Sequence, residues 1–258
     1  MLSLVATAVL VGDDGRNPLP YVVYVLCWVG IVPLSLPRWV GYWPAALWLL
    51  NFVWLELAGS DRDSVTVLLL YLGCYAAVQL GASLLFGARW FATGDGFEVY
   101  SSVVATMSPL GRRGDGRLVV RNPLDGAATF GPAPGIVVLI AVLLGSTFFD
   151  TVSGSAQWAR AIQSVPAPAT LLDTAGLLVM IALVALTFVG ATLLAGRAGD
   201  RGRRPVPGLL AHTIIPIVVG YVIAHYFSLL LFQGPQGIAL LAGTLDGVPQ
   251  LALRSTTA

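Results

Sequence analysis

Lysine is missing from this chain, and all fourteen of its basic residues are arginine. Charge of either sign is scarce, at 10% of residues, where a soluble domain carries about 25%. The net charge is +1, so there is no clustered basic excess able to track phosphates, and nucleic acid is excluded as a partner. Cysteine occurs twice. Cys27 and Cys74 each lie in the middle of an apolar stretch and read as small packing residues, with no disulfide framework and no CxxC spacing. The two histidines are too far apart for an HxxxH metal site. Also absent are a Walker A loop, a GxGxxG opening a helix after a strand, an HExxH pair and a GxSxG nucleophile elbow. ATP-driven pumping within this chain is thereby disfavoured. No inverted internal repeat of the kind common in secondary transporters is visible.

What is abundant is apolar surface. Of 258 residues 57% are hydrophobic, and the mean hydropathy is +0.83. The expected fold is all-α, a single polytopic membrane bundle over residues 1–258 with the lipid bilayer as its principal partner. Crossing about 30 Å of hydrocarbon takes about 20 residues, and windows of that length give six spans, roughly 17–36, 43–58, 64–87, 134–152, 169–195 and 208–232. The second is short and carries Asn51 and Glu56, so it is either re-entrant or little tilted. The lead "MLSLVATAVLVG" is too short to span and lacks the basic start of a secretory signal.

Arginine placement sets the expected orientation, because cytoplasmic loops retain positive charge. With six spans, one side carries Arg38, Arg89, Arg112, Arg113, Arg117, Arg121, Arg197, Arg201, Arg203 and Arg204. The other carries Arg16, Arg62, Arg160 and Arg254. The rich side is read as cytoplasmic in the cell membrane, with both termini outside. If the second span fails to cross, the 88–133 and 196–207 loops still share a side and only the N-terminus changes place.

Within the long cytoplasmic loop 88–133, "DGFEVYSSVVATM" places Phe97, Tyr100, Val104 and Met107 at helical spacing opposite Glu98, Ser101 and Ser102. It is expected to be an interfacial amphipathic helix at the membrane face. Asp95 followed by Glu98 suits a capping box, a reading preferred to a catalytic role for Glu98. Beyond it, "GRRGDGRLVVRNPLDG" joins turn formers to a short β-prone run, with arginines suited to anionic headgroups.

Ionisable residues inside spans are expensive and so point to a cavity or a partner. Glu56, Asp150 and His225 all fall in the expected outer leaflet. Tyr221 and His225 are four apart and share a helical face, able to relay a proton, and Ser146 and Asp150 have the same spacing. His212, thirteen residues before His225, lies about 20 Å away along a helix, so the two cannot share a site. It reads as structural. Pro216 leaves the His212 carbonyl without its usual helical donor, which marks a kink or a hinge.

The runs "NPLPYVVYVLCWVGIVPLSL", "PRWVGYWPAALWLL", "LLGSTFFDTVSGS" and above all "AHTIIPIVVGYVIAHYFSLLLFQGPQ" resemble the actinobacterial multi-pass membrane proteins called fenitrothion hydrolase-like, from about Asn17 to about Leu241. The resemblance implies hydrolysis of an organophosphate triester, with a small hydrophobic ligand as substrate. The family pattern also has a further histidine-bearing span after the "FQGPQ" region, where this chain has the polar tail "GTLDGVPQLALRSTTA". Loss of groups supplied by that span would leave this copy inactive.

Two functional readings follow. In one, Glu56, Asp150 and His225, with Tyr221 beside the histidine, converge as catalytic groups in an outward-facing pocket around a divalent metal. The metal-bound water then attacks a phosphoester. In the other, the same residues form a proton or ion pathway in a carrier or in a subunit of a membrane complex or homo-oligomer, and no bond is broken.

Overall fold

The computed structural model describes residues 34–62, 64–112, 117–196 and 206–245, and the chain divides between Pro216 and Ile217 into two units, each taken by itself below. The expected first span, 17–36, lies almost wholly outside the described residues. So do Arg113, Arg197, Arg201, Arg203 and Arg204.

The fold is predominantly helical, with one small hairpin. In chain order the first unit contains α1 (Trp43–Leu57), α2 (Val65–Phe86), a 3-10 turn (Ala88–Trp90), α3 (Phe91–Gly94) and α4 (Gly96–Thr106). Strands β1 (Leu110–Arg112) and β2 (Leu118–Val120) follow, then α5 (Pro123–Ala127), α6 (Ile136–Ser153), α7 (Ala156–Ser164), α8 (Ala169–Ala195) and α9 (Val206–Leu210). A 3-10 turn over Ala211–Ile214 leads into α10 (Ile215–Leu245). Among the described residues, four helical segments are long and apolar enough to cross a membrane: Val65–Phe86, Ile136–Ser153, Ala169–Ala195 and Val206–Leu240. At 15 residues, α1 is apolar but shorter.

The helix ends follow local chemistry. Pro44 occupies the first turn of α1, where its missing N–H costs nothing. The Ser64 hydroxyl accepts from the Val67 N–H at the start of α2, and Gly87 ends that helix at φ 73°, a conformation open to glycine. Asn122 caps α5 ahead of Pro123, and Ser155 caps α7.

At the centre of the first unit is α6. Ten of its eighteen residues are buried, from Ile136 to Phe149. Its closest neighbour is α8, and a Cβ at Gly145 would lie 2.6 Å from the Ile181 Cα, so the glycine is what lets the two backbones meet. Helices α1 and α6 begin together: the Tyr42 N–H donates to the Pro134 carbonyl at 2.8 Å. They run the same way, since Trp54 donates its indole N–H to Thr174 at 2.9 Å while Gly176, two residues on, packs under Phe149.

Two expectations for the 88–133 segment change. The buried face of α4 is Gly96, Val99 and Val103, not the Phe97–Tyr100–Val104–Met107 stripe, because Gly96 abuts Ala45, Trp48 and Leu49 of α1 and Phe97 stacks edge-on against Phe52 and Tyr75. The helix packs one face on α1, while Ser102 and Ala105 are exposed. The sharper separation of polar and apolar faces belongs to α7, "AQWARAIQS". Arg121 is also committed elsewhere than to headgroups. Its guanidinium donates to the Thr106 and Ser108 carbonyls at 3.2 and 3.1 Å, closing the C-terminal end of α4. The β-prone run does form the β1–β2 hairpin, with Leu110 opposite Val120.

Candidate functional site

After Gly87 the chain does not leave the bundle. It turns back along α2: the Trp90 indole donates to the Gln79 side-chain Oε1 at 2.6 Å and stacks on Phe86. Five residues later the Asp95 carboxylate accepts from the Tyr75 hydroxyl. Tyr75 is the eleventh of the 22 residues of α2, so it lies about 15 Å from either end of the helix. α4 then descends again, and Thr106 meets Gly126 of α5 near the level where α1 and α6 begin. Residues 87–106 thus double back along α2 as a short helical hairpin with Asp95 at its tip.

The local sequence explains the tip. Asp95 has extended backbone and one of its oxygens accepts from the Phe97 and Glu98 N–H groups at 2.9 and 3.1 Å, the N-cap geometry expected of it. The turn is tight because Gly94 lies flat against the Trp90 indole, where a Cβ would fall 2.5 Å from the ring. The same oxygen that caps α4 receives the Tyr75 hydroxyl, so the carboxylate joins the half-helix α4 to the middle of α2. Asp95 is 8% exposed.

Aromatic rings enclose this point. Tyr75 meets Trp48 at 5.1 Å and Phe97 at 5.3 Å, both edge-on, and stacks with Tyr71 at 6.3 Å. Along α2, Tyr71, Tyr75 and Gln79 recur every four residues and so form one polar row on a largely apolar helix. Gln79 is the only residue of α2 that is fully buried. Three buried polar atoms around the row have no hydrogen-bond partner among the described residues: the Tyr71 hydroxyl, the Gln79 amide nitrogen and the Thr93 hydroxyl. Polar atoms in this condition call for a ligand, a water or a mobile proton.

At the far end of α1, an open groove of about 370 Å³ is lined by Phe52, Leu55, Glu56, Arg62 and Leu68. Glu56 is exposed there. Asp150 lies half-buried one residue beyond Phe149, at the same end of α6. The parallel course of α1 and α6 therefore brings the two expected carboxylates to one end of the unit. The Ser146 hydroxyl donates to the Leu143 carbonyl at 3.0 Å.

Tyr221 and His225 stack on α10 with ring centroids 5.7 Å apart, as their spacing requires, and Tyr226 meets His225 edge-on at 5.7 Å. His212 has its Nδ1 2.9 Å from the Leu209 carbonyl oxygen. The carbonyl that Pro216 deprives of a helical donor is satisfied after all, because the 3-10 turn lets the Ile215 N–H reach it. Among the described residues no group of three or more His, Cys, Asp or Glu side chains is placed to hold a metal ion.

Sequence alone does not mark Asp95, Tyr75, Tyr71 and Gln79 as a site, because Asp95 meets the row only in the fold. The available signal was three hydrogen-bonding side chains at four-residue spacing inside an apolar span. The chain has no match among protein-family models, curated proteins or solved structures.

Proposed function

We propose that this chain is a multi-pass protein of the cell membrane that passes protons, with Asp95 as the intramembrane carrier group and no bond of a substrate broken. The observation that carries this reading is the Asp95 carboxyl at the tip of this hairpin, bonded to the middle residue of a membrane-length helix. Ionisable groups at such depth are costly and are retained where they work on ions or protons. Irregular backbone at that depth is tolerated where it is enclosed by protein or lines a polar path, and here it is both enclosed by rings and flanked by unpaired polar atoms.

The proton balance is simple. A proton arriving on Asp95 converts an acceptor into a carboxylic acid, and the Tyr75 hydroxyl turns from donating to accepting. When that proton leaves on the opposite side the carboxylate and its original bond are restored. In this reading, which the arginine bias supports, the open base of the hairpin faces the cytoplasm and the Glu56–Arg62 groove faces outward.

Asparagine caps a helix as well as aspartate does, so Asp95→Asn separates the carboxyl's function from its cap. Proteoliposomes containing a trapped pH dye and an inside-negative potassium diffusion potential should acidify with wild type. With Asp95→Asn the rate should fall by at least about tenfold, with an unchanged helical spectrum. A wild-type rate equal to that of empty liposomes overturns the proposal.

Phosphoester hydrolysis is the second reading, favoured by Glu56 and Asp150 standing at one end of parallel helices. Two carboxylates do not by themselves make a metal site. On this reading, detergent-purified protein with Zn²⁺ or Mn²⁺ releases a chromogenic leaving group from an organophosphate triester, and His225→Ala abolishes the release. Equal release by wild type and variant removes it.

A further inference from the structure

We infer that the groove between α1 and α2 is the outward mouth of this pathway and that the Phe52 ring is its gate, admitting water-borne protons to the polar row. The inference rests on the proton-pathway reading and deepens it.

Phe52 is the one residue that belongs to both places. It lines the groove with Leu55, Glu56, Arg62 and Leu68, and its ring lies 6.0 Å from Tyr71 and 4.9 Å from Phe97, the two rings that flank Tyr75. A path from the groove to Asp95 therefore passes Phe52, then the Tyr71 hydroxyl, then Tyr75.

The unpartnered atoms fall along the same line and on both sides of the carboxylate. Tyr71 precedes Tyr75 by one turn, on the groove side. Gln79 lies on the other side, bonded to Trp90 toward the base of the hairpin, and Thr93 belongs to the ascending arm two residues before Asp95. Gln79 is 3% exposed, so its free amide N–H faces the protein interior and not lipid. Hydroxyl and amide groups able to donate and accept in turn, spaced one helical turn apart, suit water and protons. A desolvated metal cation would ask for more oxygen ligands than the row contains. Glu56 and Arg62 at the rim hold opposite charges beside the mouth, which wets the groove without giving it a strong net attraction for ions of one sign.

The test is accessibility, which needs no flux. In a Cys27→Ser, Cys74→Ser background, Tyr71→Cys is exposed to a small charged methanethiosulfonate reagent added to sealed proteoliposomes. With Phe52 in place, modification should be slow. With Phe52→Ala it should be at least about tenfold faster, a protection ratio typical of local opening. Leu55→Cys, in front of the gate, should react at the same rate in both backgrounds. Phe52→Leu keeps apolar bulk without the ring and should give an intermediate rate, so the inference stays testable if Phe52→Ala fails to fold. Equal rates at position 71 with and without the Phe52 ring overturn the gate. If those rates are equal while Asp95-dependent acidification persists, the pathway stands and its mouth lies elsewhere. If the ring controls access but no acidification occurs, the groove and gate stand and the proton reading fails.

Discussion

Two helices of membrane length, α2 and α6, are alike in apolar composition and differ in what they keep inside. α6 buries ten of eighteen residues, and its interior contact with α8 depends on Gly145 against the Ile181 backbone. α2 buries Gln79 alone, and the side it turns to α1 and the hairpin carries Tyr71, Tyr75 and Gln79. Apolarity places a helix in a membrane, but the residues on its protein-facing side determine its role. In α6 that side is close-packed, as suits a structural axis. In α2 it is a row of hydrogen-bonding groups around a carboxylate, as suits a site.

The contrast can be broken most forcefully at Gly145. Gly145→Ala drives a methyl into backbone that cannot yield, and should cost about 2–3 kcal/mol in reversible unfolding from mixed micelles. No loss there would mean that α6 is not the packed axis. A somewhat smaller effect is expected from Gln79→Leu, which keeps the volume but leaves the Trp90 indole N–H buried without an acceptor. It should cost about 2 kcal/mol and alter tryptophan emission, whereas an unchanged spectrum would argue that the row is not buried. Tyr75→Phe removes one hydroxyl and retains the ring contacts, for a loss of about 1–2 kcal/mol. If stability held but acidification slowed, the row would be sharpened as a site rather than a support. Last, Gly73→Ala on α2, where an added Cβ meets nothing within 4 Å, should lie within about 0.5 kcal/mol of wild type. A large effect there would mean that the outer face of α2 is covered by protein.

Three of the expected spans agree with the observed helices to within two residues at each end: 64–87 with Val65–Phe86, 134–152 with Ile136–Ser153, and 169–195 with Ala169–Ala195. Long apolar runs bounded by Ser64, Gly87, Gly135 and Gly196 leave little choice. α10 runs past the expected end at 232 to Leu245, with Pro235 inside it, because apolar residues resume after "QGPQ". The helix at 96–106 and its Asp95 cap were also legible, since both are local. The depth of Asp95 was not. Depth is fixed by Tyr75, twenty residues earlier in the chain, and a window of hydropathy carries no information about which distant side chain a loop residue will meet. For the same reason Glu56 and Asp150 were readable as acids near span ends, while their position at one end of parallel helices depends on Tyr42 meeting Pro134.

The brevity of the hairpin has a consequence for how the protein is made. Its ascending arm, a 3-10 turn and the four residues of α3, and its descending arm, the eleven residues of α4, both fall far short of the about 20 residues that the insertion machinery accepts as a span. Neither arm can partition into lipid by itself as the ribosome delivers it. On the proposed membrane placement, the segment docks after α1 and α2 are in place, onto the surfaces they offer: Ala45 and Leu49 to receive Gly96, Gln79 to receive Trp90, and Tyr75 to receive Asp95. Its docking is therefore a late step of biogenesis. Substitutions at Gln79 or Tyr75 should leave insertion and topology normal but slow this docking, detectable as a longer interval after synthesis during which the 87–106 segment is open to protease.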